Sequence, residues 1–412
     1  MSVDNRQLVE KATISAVTSL ASSGKLNPAQ ADKFIDFVFD ESVLTKLARV
    51  VRFRNEQLEI DKIGLGRRSA MPKAEAISPS SGMFRGVETS KVVLQPKEII
   101  VPFEISDIFM EINLEGMSVE NHIIQMFSRQ LANDLEELYI NGDATGPLGL
   151  SSDIINSANQ NRYVLDNYLG LMDGFIHQAD AGQIVDFSSV DQAGNVTPNA
   201  VSAGLFSRML NKMPTKFKRD KNKLAFVCPV ELEQLYRERI ASRATVMGDS
   251  ALNTIENMTP FGIPLIGVPL MPLYPSYTEQ VGALGVGATH QLGHKAIIPD
   301  SVVIVPTANV SASVEANPLA ETVNYTVDYQ KGIITDVAGG LGANFTVSYK
   351  VYPQIMLTLR DNLILGLGRD IRLEKDRDIF RGVNQFALSV KASVTFEEID
   401  AVVKAINVSD LI

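Results

Sequence analysis

Tryptophan is absent from the 412 residues, and Cys228 is the single cysteine. One thiol permits no intrachain disulfide and no cysteine-based zinc site, so stability must come from packing and backbone pairing. No run approaches the roughly 20 consecutive apolar residues of a membrane span. The N-terminal MSVDNRQLVEKATISAV lacks the basic start and apolar core of a secretion leader, and the expectation is a chain made and used in the cytoplasm. Basic residues are outnumbered, 38 against 48 acids, for a net charge of −10. That balance argues against a protein whose main task is gripping nucleic-acid phosphates, where affinity scales with the phosphates neutralised.

The signatures of catalysis are also missing. There is no GxxxxGK[ST] phosphate loop, and Gly64-Leu65-Gly66-Arg67-Arg68 lacks the third glycine and following helix of a dinucleotide site. No GxSxG elbow occurs. His290 and His294 stand four apart, a helical metal-pair spacing, but Gly285, Gly287 and Gly293 disfavour a helix and no third ligand is evident. His122 and His177 read as packing or helix-surface residues. Asp134, Glu136 and Glu137 read as a solvated helix face. Lys212, Lys216, Lys218, Arg219, Lys221 and Lys223 read as a solvated connection, with weak contact to DNA or a partner as the alternative. Cys228 lies in an apolar strand and reads as inert core. No catalytic, cofactor-binding or metal site is assigned, and no cofactor is expected.

What is present is organised around residues 118–141, SVENHIIQMFSRQLANDLEELYIN. Val119, Ile123, Phe127, Leu131, Leu135 and Leu138-Tyr139 form an i, i+4 stripe, with Ser118 as cap, Glu120 in the first turn and Asn141-Gly142 as a left-handed stop. Upstream, Phe34, Phe37, Val38, Val43, Leu44 and Leu47 recur at helical spacing. They fit either a small helical subdomain or an arm that buries its apolar face on another subunit. Residues 55–105 have strand-like ends, including the alternation of Ile99, Val101, Phe103 and Ile105, around a middle too poor in apolar residues to form a core. Its mixed charges (Lys62, Arg67, Arg68, Lys73 and Arg85 against Glu59, Asp61, Glu75 and Glu88) suit a protein–protein surface better than a phosphate track, with a solvated loop as the alternative.

Residues 151–290 read as α+β. One helix is expected through Tyr168, Leu169, Met172, Phe175 and Ile176 and another through Leu205–Met213. A buried strand follows at Leu224–Cys228, a helix after Pro229, a turn at Thr259–Pro264 and a strand at Leu265–Val268. Residues 295–352 alternate in short apolar strands punctuated by Gly332 and Gly339-Gly340, as a small all-β insert with its own core would. Beyond 353, strands are expected at Leu357–Leu365, Ile371–Leu373 and Phe386–Phe396, and a terminal helix over Glu397–Ile406.

The order of these parts resembles the major capsid proteins of tailed bacteriophages, with the Hong Kong 97-type fold. The resemblance is carried by PKEIIVPFEIS leading into the long helix, then LANDLEELYINGDATGPLGL, FVCPVELEQL, FGIPLIGVPLMP and LRDNLILGLGRDIRLEKDRD, over about residues 30–272 and 353–406. It implies an N-terminal arm (1–54), an extended loop (55–105), a peripheral domain (106–149 and 353–412) with a spine helix at 118–141, and an axial domain (150–294). The all-β insertion (295–352) departs from the minimal family pattern. It further implies a non-enzymatic shell protein that forms hexamers and pentamers around double-stranded DNA, touching the DNA only weakly. A separate scaffolding protein, a portal and a decoration protein would be its partners, and no membrane would be involved. Assembly would take place in the host cytoplasm, and the place of residence would be the virion. Inter-subunit contacts would come from Phe34, Phe37, Lys62, Arg67, Arg68, Lys73, Glu75 and Arg85. With about 54 residues ahead of the loop, use without cleavage is expected. Some members crosslink a loop lysine; Lys62 and Lys73 lie in that region, but no asparagine or activating acid is identifiable, so no crosslink is assigned. The alternatives are an encapsulin-type nanocompartment shell or a virion adhesive protein using the β insert.

Overall fold

The computed structural model describes residues 43–53, 57–64, 88–112, 118–154, 162–242, 258–307, 310–311, 315–337 and 339–410. The fold is α+β, and two sheets set its plan. A five-stranded sheet runs in the order Leu265–Val268, Leu224–Pro229, Ile355–Leu359, Val403–Ile406, Gln183–Asp186. Strand Leu224–Pro229 pairs in parallel with Leu265–Val268 and antiparallel with Ile355–Leu359, and every one of its residues is buried. Two-sided burial is what the unbroken apolar run LAFVCP requires, because a strand covered on both faces cannot alternate polar with apolar.

One face of this sheet carries the helices Ala203–Lys212 and Val230–Ala241. Phe206 packs edge-on against Phe226 and Tyr236 in a core shared with Leu205, Met209, Leu224, Cys228, Leu357 and Val403. The other face supplies Val227, Met356 and Val402 to a larger core. The spine helix Ser118–Asn141 enters that core with Leu131, Leu135, Leu138 and Tyr139. Its 24 residues span about 36 Å at 1.5 Å per residue. Its N-terminal half lies over a second sheet of four strands, ordered Arg49–Arg52, Leu363–Asp378, Val383–Phe396, Lys97–Ser106. Phe103 joins the two layers, its ring stacked 4.2 Å from Phe127 of the helix and 5.0 Å from Phe386 of the neighbouring strand.

Four local expectations are corrected by packing. Glu397–Ile406 is not a helix: a 3-10 turn at Ile399–Ala401 leads into strand Val403–Ile406, which fills the gap between Ile355–Leu359 and Gln183–Asp186. Paired on both sides, Val403, Lys404 and Ala405 are all buried, with Val403 and Ala405 on one face and Lys404 on the other. The expected helix through Tyr168–Ile176 breaks into a 3-10 turn at Leu169–Leu171 and one helical turn at Phe175–Gln178. Gly174 separates them because its backbone passes against Ile140, where a β-carbon would sit 2.6 Å from a carbonyl oxygen. Leu357–Leu365 is likewise interrupted, by the turn Arg360–Asn362 between two different sheets. Gly142 is not a left-handed stop. It is small because the Met172 carbonyl lies 2.3 Å from where its β-carbon would be.

Between residues 276 and 350 two three-stranded sheets form, Ser276–Val281 with Phe345–Lys350 and Val303–Pro306, and Thr289–Gln291 with Ile333–Asp336 and Tyr325–Asp328. Strands that precede residue 295 are thus integral to both. Ile304, Tyr325, Ile334, Phe345 and Val347 belong to the same core as the spine helix, so among the described residues the region shares the main core, and only Val305, Val310 and Ala316 form a small cluster apart from it. The apolar alternation was visible in sequence, but period-two patterning does not say which other segment covers the inner face.

Glu136 is the remaining correction. Far from a solvated face, it is fully buried. One carboxylate oxygen accepts the amides of Val43 and Leu44 at 2.9 and 2.8 Å, and the other accepts the Thr45 hydroxyl at 2.9 Å. The spine helix therefore fixes the point at which the chain enters from residues 1–42, by capping the short helix Leu44–Leu47. Glu136→Ala leaves two buried amides without an acceptor, each worth about 1–3 kcal/mol. The variant is expected to lose on the order of 2–4 kcal/mol in urea unfolding, with Glu136→Gln losing less.

Candidate functional site: a projecting hairpin and a buried junction

Strands Leu58–Gly64 and Glu88–Leu94 pair antiparallel from Leu58 opposite Leu94 to Gly64 opposite Glu88. The base of this hairpin is covered by the chain itself. Leu94 is buried with Phe53 and Ile364, and Val51, Leu58 and Ile60 pack alongside. Cover is lost toward the far end: Ile63 is 76% exposed. Two ribbons without further support are marginal, so the rooted base gives the exposed end a fixed direction.

Of the sequence-derived contact residues, Lys62 is placed on this hairpin, its ammonium 3.5 Å from Glu398 of the body. Phe34, Phe37, Arg67, Arg68, Lys73, Glu75 and Arg85 lie outside the described residues. Lys91 across the hairpin sits 2.6 Å from Glu59, whose hydrogen bond and charge, with help from Asp61, hold its ammonium above the ordinary lysine range. The basic run after Lys212 forms an exposed connection between helix and strand, with Lys223 3.3 Å from Asp361 and Lys216 over the Phe217 ring. Cys228 is buried, its thiol 3.7 Å from the Ile266 carbonyl, and burial pushes its ionisation upward.

A second feature went unread in the sequence. Lys404, alternating with Val403 and Ala405, points from the central sheet into the larger core, and only 2% of it is exposed. Its ammonium donates to Asp180 Oδ1 at 2.6 Å, the Ile176 carbonyl at 2.9 Å and the Tyr277 hydroxyl at 2.6 Å. All three N–H donors are thereby used, the condition for a buried ammonium to be tolerated. Burial lowers its proton affinity below the ordinary lysine value, against the pull of Asp180.

From Tyr277 the network spreads outward. Its hydroxyl is 3.2 Å from the Gln354 side chain, and its ring lies 4.7 Å from His177 and 4.1 Å from His294. His294 Nδ1 is 3.1 Å from the Tyr349 hydroxyl, which donates to Glu279. The amide of Gly293 also donates to Glu279, at 2.9 Å, and His290 lies 3.8 Å from the other Glu279 oxygen. Three of the four histidines thus gather where the central sheet meets the strands of 276–350. The i, i+4 pair His290 and His294 serves this network: His290 is on a strand and His294 on the turn beyond it. Among the described residues, no three His, Cys, Asp or Glu side chains are grouped to hold a metal ion.

The α+β architecture has the hairpin, long spine helix and central sheet that the sequence resemblance implied. The chain is similar along almost its whole length to a capsid protein: it is 27% identical over 406 residues to the putative prophage capsid protein YqbE of Bacillus subtilis (strain 168), covering 98% of this chain and 99% of that one. Similar solved structures include the capsid of an empty GTA particle (TM-score 0.48, 10% identity, 95% of this chain and 98% of the other). Another is the satellite phage P4 procapsid including the size determination (Sid) protein (TM-score 0.48, 10% identity, 99% and 98%). No family model matches the chain.

The Lys404–Asp180 pair makes a definite demand on stability. Lys404→Met removes the cation and leaves Asp180 and the Tyr277 hydroxyl without it, a loss expected at about 3–5 kcal/mol. Lys404→Met combined with Asp180→Asn is expected to recover part of that loss, because the stranded charge is gone. Urea denaturation of the two variants beside the parent checks both statements.

Proposed function

We propose that this chain is the major capsid protein of a tailed phage or prophage, self-assembling into the closed shell around its double-stranded DNA. The observation that carries this reading is the end-to-end similarity to a putative prophage capsid protein, over 98% of this chain and 99% of that one. A hairpin with a rooted base and exposed far end, and an arm root gripped by Glu136, are the parts such a chain would use to reach its neighbours. The work is mechanical rather than catalytic. Many repeated contacts, each modest, close a shell because each subunit is held by several neighbours at once.

In this reading residues 1–54 are the arm, 55–105 the extended loop, 106–149 with 353–412 the peripheral domain, 150–294 the axial domain and 295–352 an added β module. Copies gather as hexamers and pentamers. Phe34, Phe37, Lys62, Arg67, Arg68, Lys73, Glu75 and Arg85 lie at their contacts. A scaffolding protein, a portal and a decoration protein complete the partners. The net charge of −10 leaves packaged DNA weakly held and free to move. Assembly takes place in the host cytoplasm and the product is part of the virion.

Electron microscopy of the purified chain, expressed with its phage neighbours, tests the reading: closed shells are expected, with nuclease-protected DNA inside particles from infected cells. Shells enclosing a single protein species in place of DNA would shift the assignment to a nanocompartment, and a persistent monomer would remove it. Deletion of residues 64–86 is expected to leave a folded subunit with an unchanged circular-dichroism spectrum and no stable particles. Normal particles from the deletion would refute the loop's bracing role.

A further inference from the structure

The junction around Lys404 has more titratable chemistry than a structural ion pair needs. Tyr277 belongs to strand Ser276–Val281, His294 to the turn after Thr289–Gln291, and Tyr349 to strand Phe345–Lys350. His177, Asp180 and Lys404 belong to the central-sheet side. The cluster of tilted rings His177, Tyr277 and His294 therefore crosses from one set of strands to the other, with both imidazoles against the Tyr277 ring.

We propose that this ring cluster is a proton-operated latch, closed while both imidazoles are neutral and released when protons reach them, freeing strands 276–281, 289–291 and 345–350 from the central sheet. The geometry gives the reason. Each imidazole faces a cation already in place, the Lys404 ammonium, and His294 also faces His177. The carboxylates that could compensate are largely committed. Asp180 is held by Lys404, and Asp143 by the Thr145 hydroxyl and amide. Asp173 accepts the Ala144 amide. Glu279 is shared by Tyr349, the Gly293 amide and His290. Asp143, Asp173 and Asp180 face His177, and Asp180 and Glu279 face His294, each favouring protonation. Burial outweighs them and holds His177 below the usual histidine value and His294 near about 4. Both residues are half-buried, neither being fully enclosed.

The sign follows from linkage. A histidine depressed in the closed state binds fewer protons there than when opened, so the closed state is fully favoured above about pH 6.5. That advantage is lost progressively as pH falls toward about 4, the value for His294. One such group changes the opening constant by roughly 20-fold between pH 7 and pH 5.

Hydrogen exchange by mass spectrometry on the full chain, corrected for the intrinsic pH dependence of exchange, measures opening segment by segment. Between pH 7 and pH 5, segments 276–281, 289–294 and 345–350 are expected to open at least about tenfold more, with less than about twofold change at 383–396 of the four-stranded sheet. The double substitution His177→Gln and His294→Gln is expected to flatten the difference. Uniform or absent pH dependence in the parent protein overturns the proposal, and so does an undiminished dependence in the double variant. Should the double variant fail to fold, the segment-by-segment contrast in the parent decides alone. The latch is read within one chain, so its failure leaves the shell assignment standing, and the reverse holds too.

Discussion

The rest of the molecule depends on a sheet that has no free face. Strand Leu224–Pro229 is buried throughout, and its neighbour Ile355–Leu359 and the next strand, Val403–Ile406, send alternate side chains to two different cores. Leu357 and Val403 close the helical side, while Met356 and Lys404 turn toward the spine helix. A one-residue slip in this register would exchange the two sets and bring Lys404 into the core of Phe206 and Phe226, where it would meet no carboxylate partner. The buried ion pair therefore fixes register as well as contributing attraction. That role is consistent with the small net energy expected of a buried pair compared with an apolar replacement.

Much of this plan was legible in the sequence where one segment carries its own evidence. The spine stripe, the fully apolar LAFVCP, the helix after Pro229 and the alternation of residues 97–106 all announce themselves through periodicity that needs no partner. What failed to show depends on segments far apart in the chain. Nothing near Glu136 indicates that its acceptors serve the amides of Val43 and Leu44, more than ninety positions away. The triplet Asp134, Glu136, Glu137 looks like any solvated face until the entering chain is laid over it. Lys404 was hidden in what read as a helix, and only the pairing of Val403–Ile406 with strands from two other regions turns it inward. His290 and His294 were noticed for their spacing, but the relevant neighbours were Glu279, Tyr277 and Tyr349, supplied by other strands.

The same distinction explains the break-up of the expected helix near Tyr168. Its apolar residues do reach the core: Phe175 and Ile176 are buried, and Phe175 tilts against Phe396. They arrive as separate turns because the chain must pass the end of the spine helix at close range. Gly142 and Gly174 lie against each other's backbones, with the Gly174 amide donating to the Gly142 carbonyl at 2.8 Å. Apolar spacing records which side chains are covered. It does not record the steric constraint that determines whether a continuous helix can carry them there.

In the proposed shell a subunit would have to satisfy two opposing requirements, a rigid body that repeats faithfully and outlying segments that reach other copies. The body meets the first through one continuous apolar core that joins spine helix, central sheet and the strands of 276–350. Among the described residues, the hairpin is rooted by Leu94 against Phe53 and Ile364 and by Lys62 beside Glu398, and the chain at Val43 and Leu44 by the carboxylate of Glu136. Anchoring the base removes much of the orientational freedom that a neighbour would otherwise have to remove on contact, so weak individual contacts suffice. The polar junction at Tyr277 is the place where the large core is least apolar, and it lies between the central sheet and the strands that follow residue 276. A body held by dispersion alone would respond little to its surroundings. One in which two imidazoles and an ammonium share a seam has, in the proposed latch, a region whose cohesion depends on proton concentration.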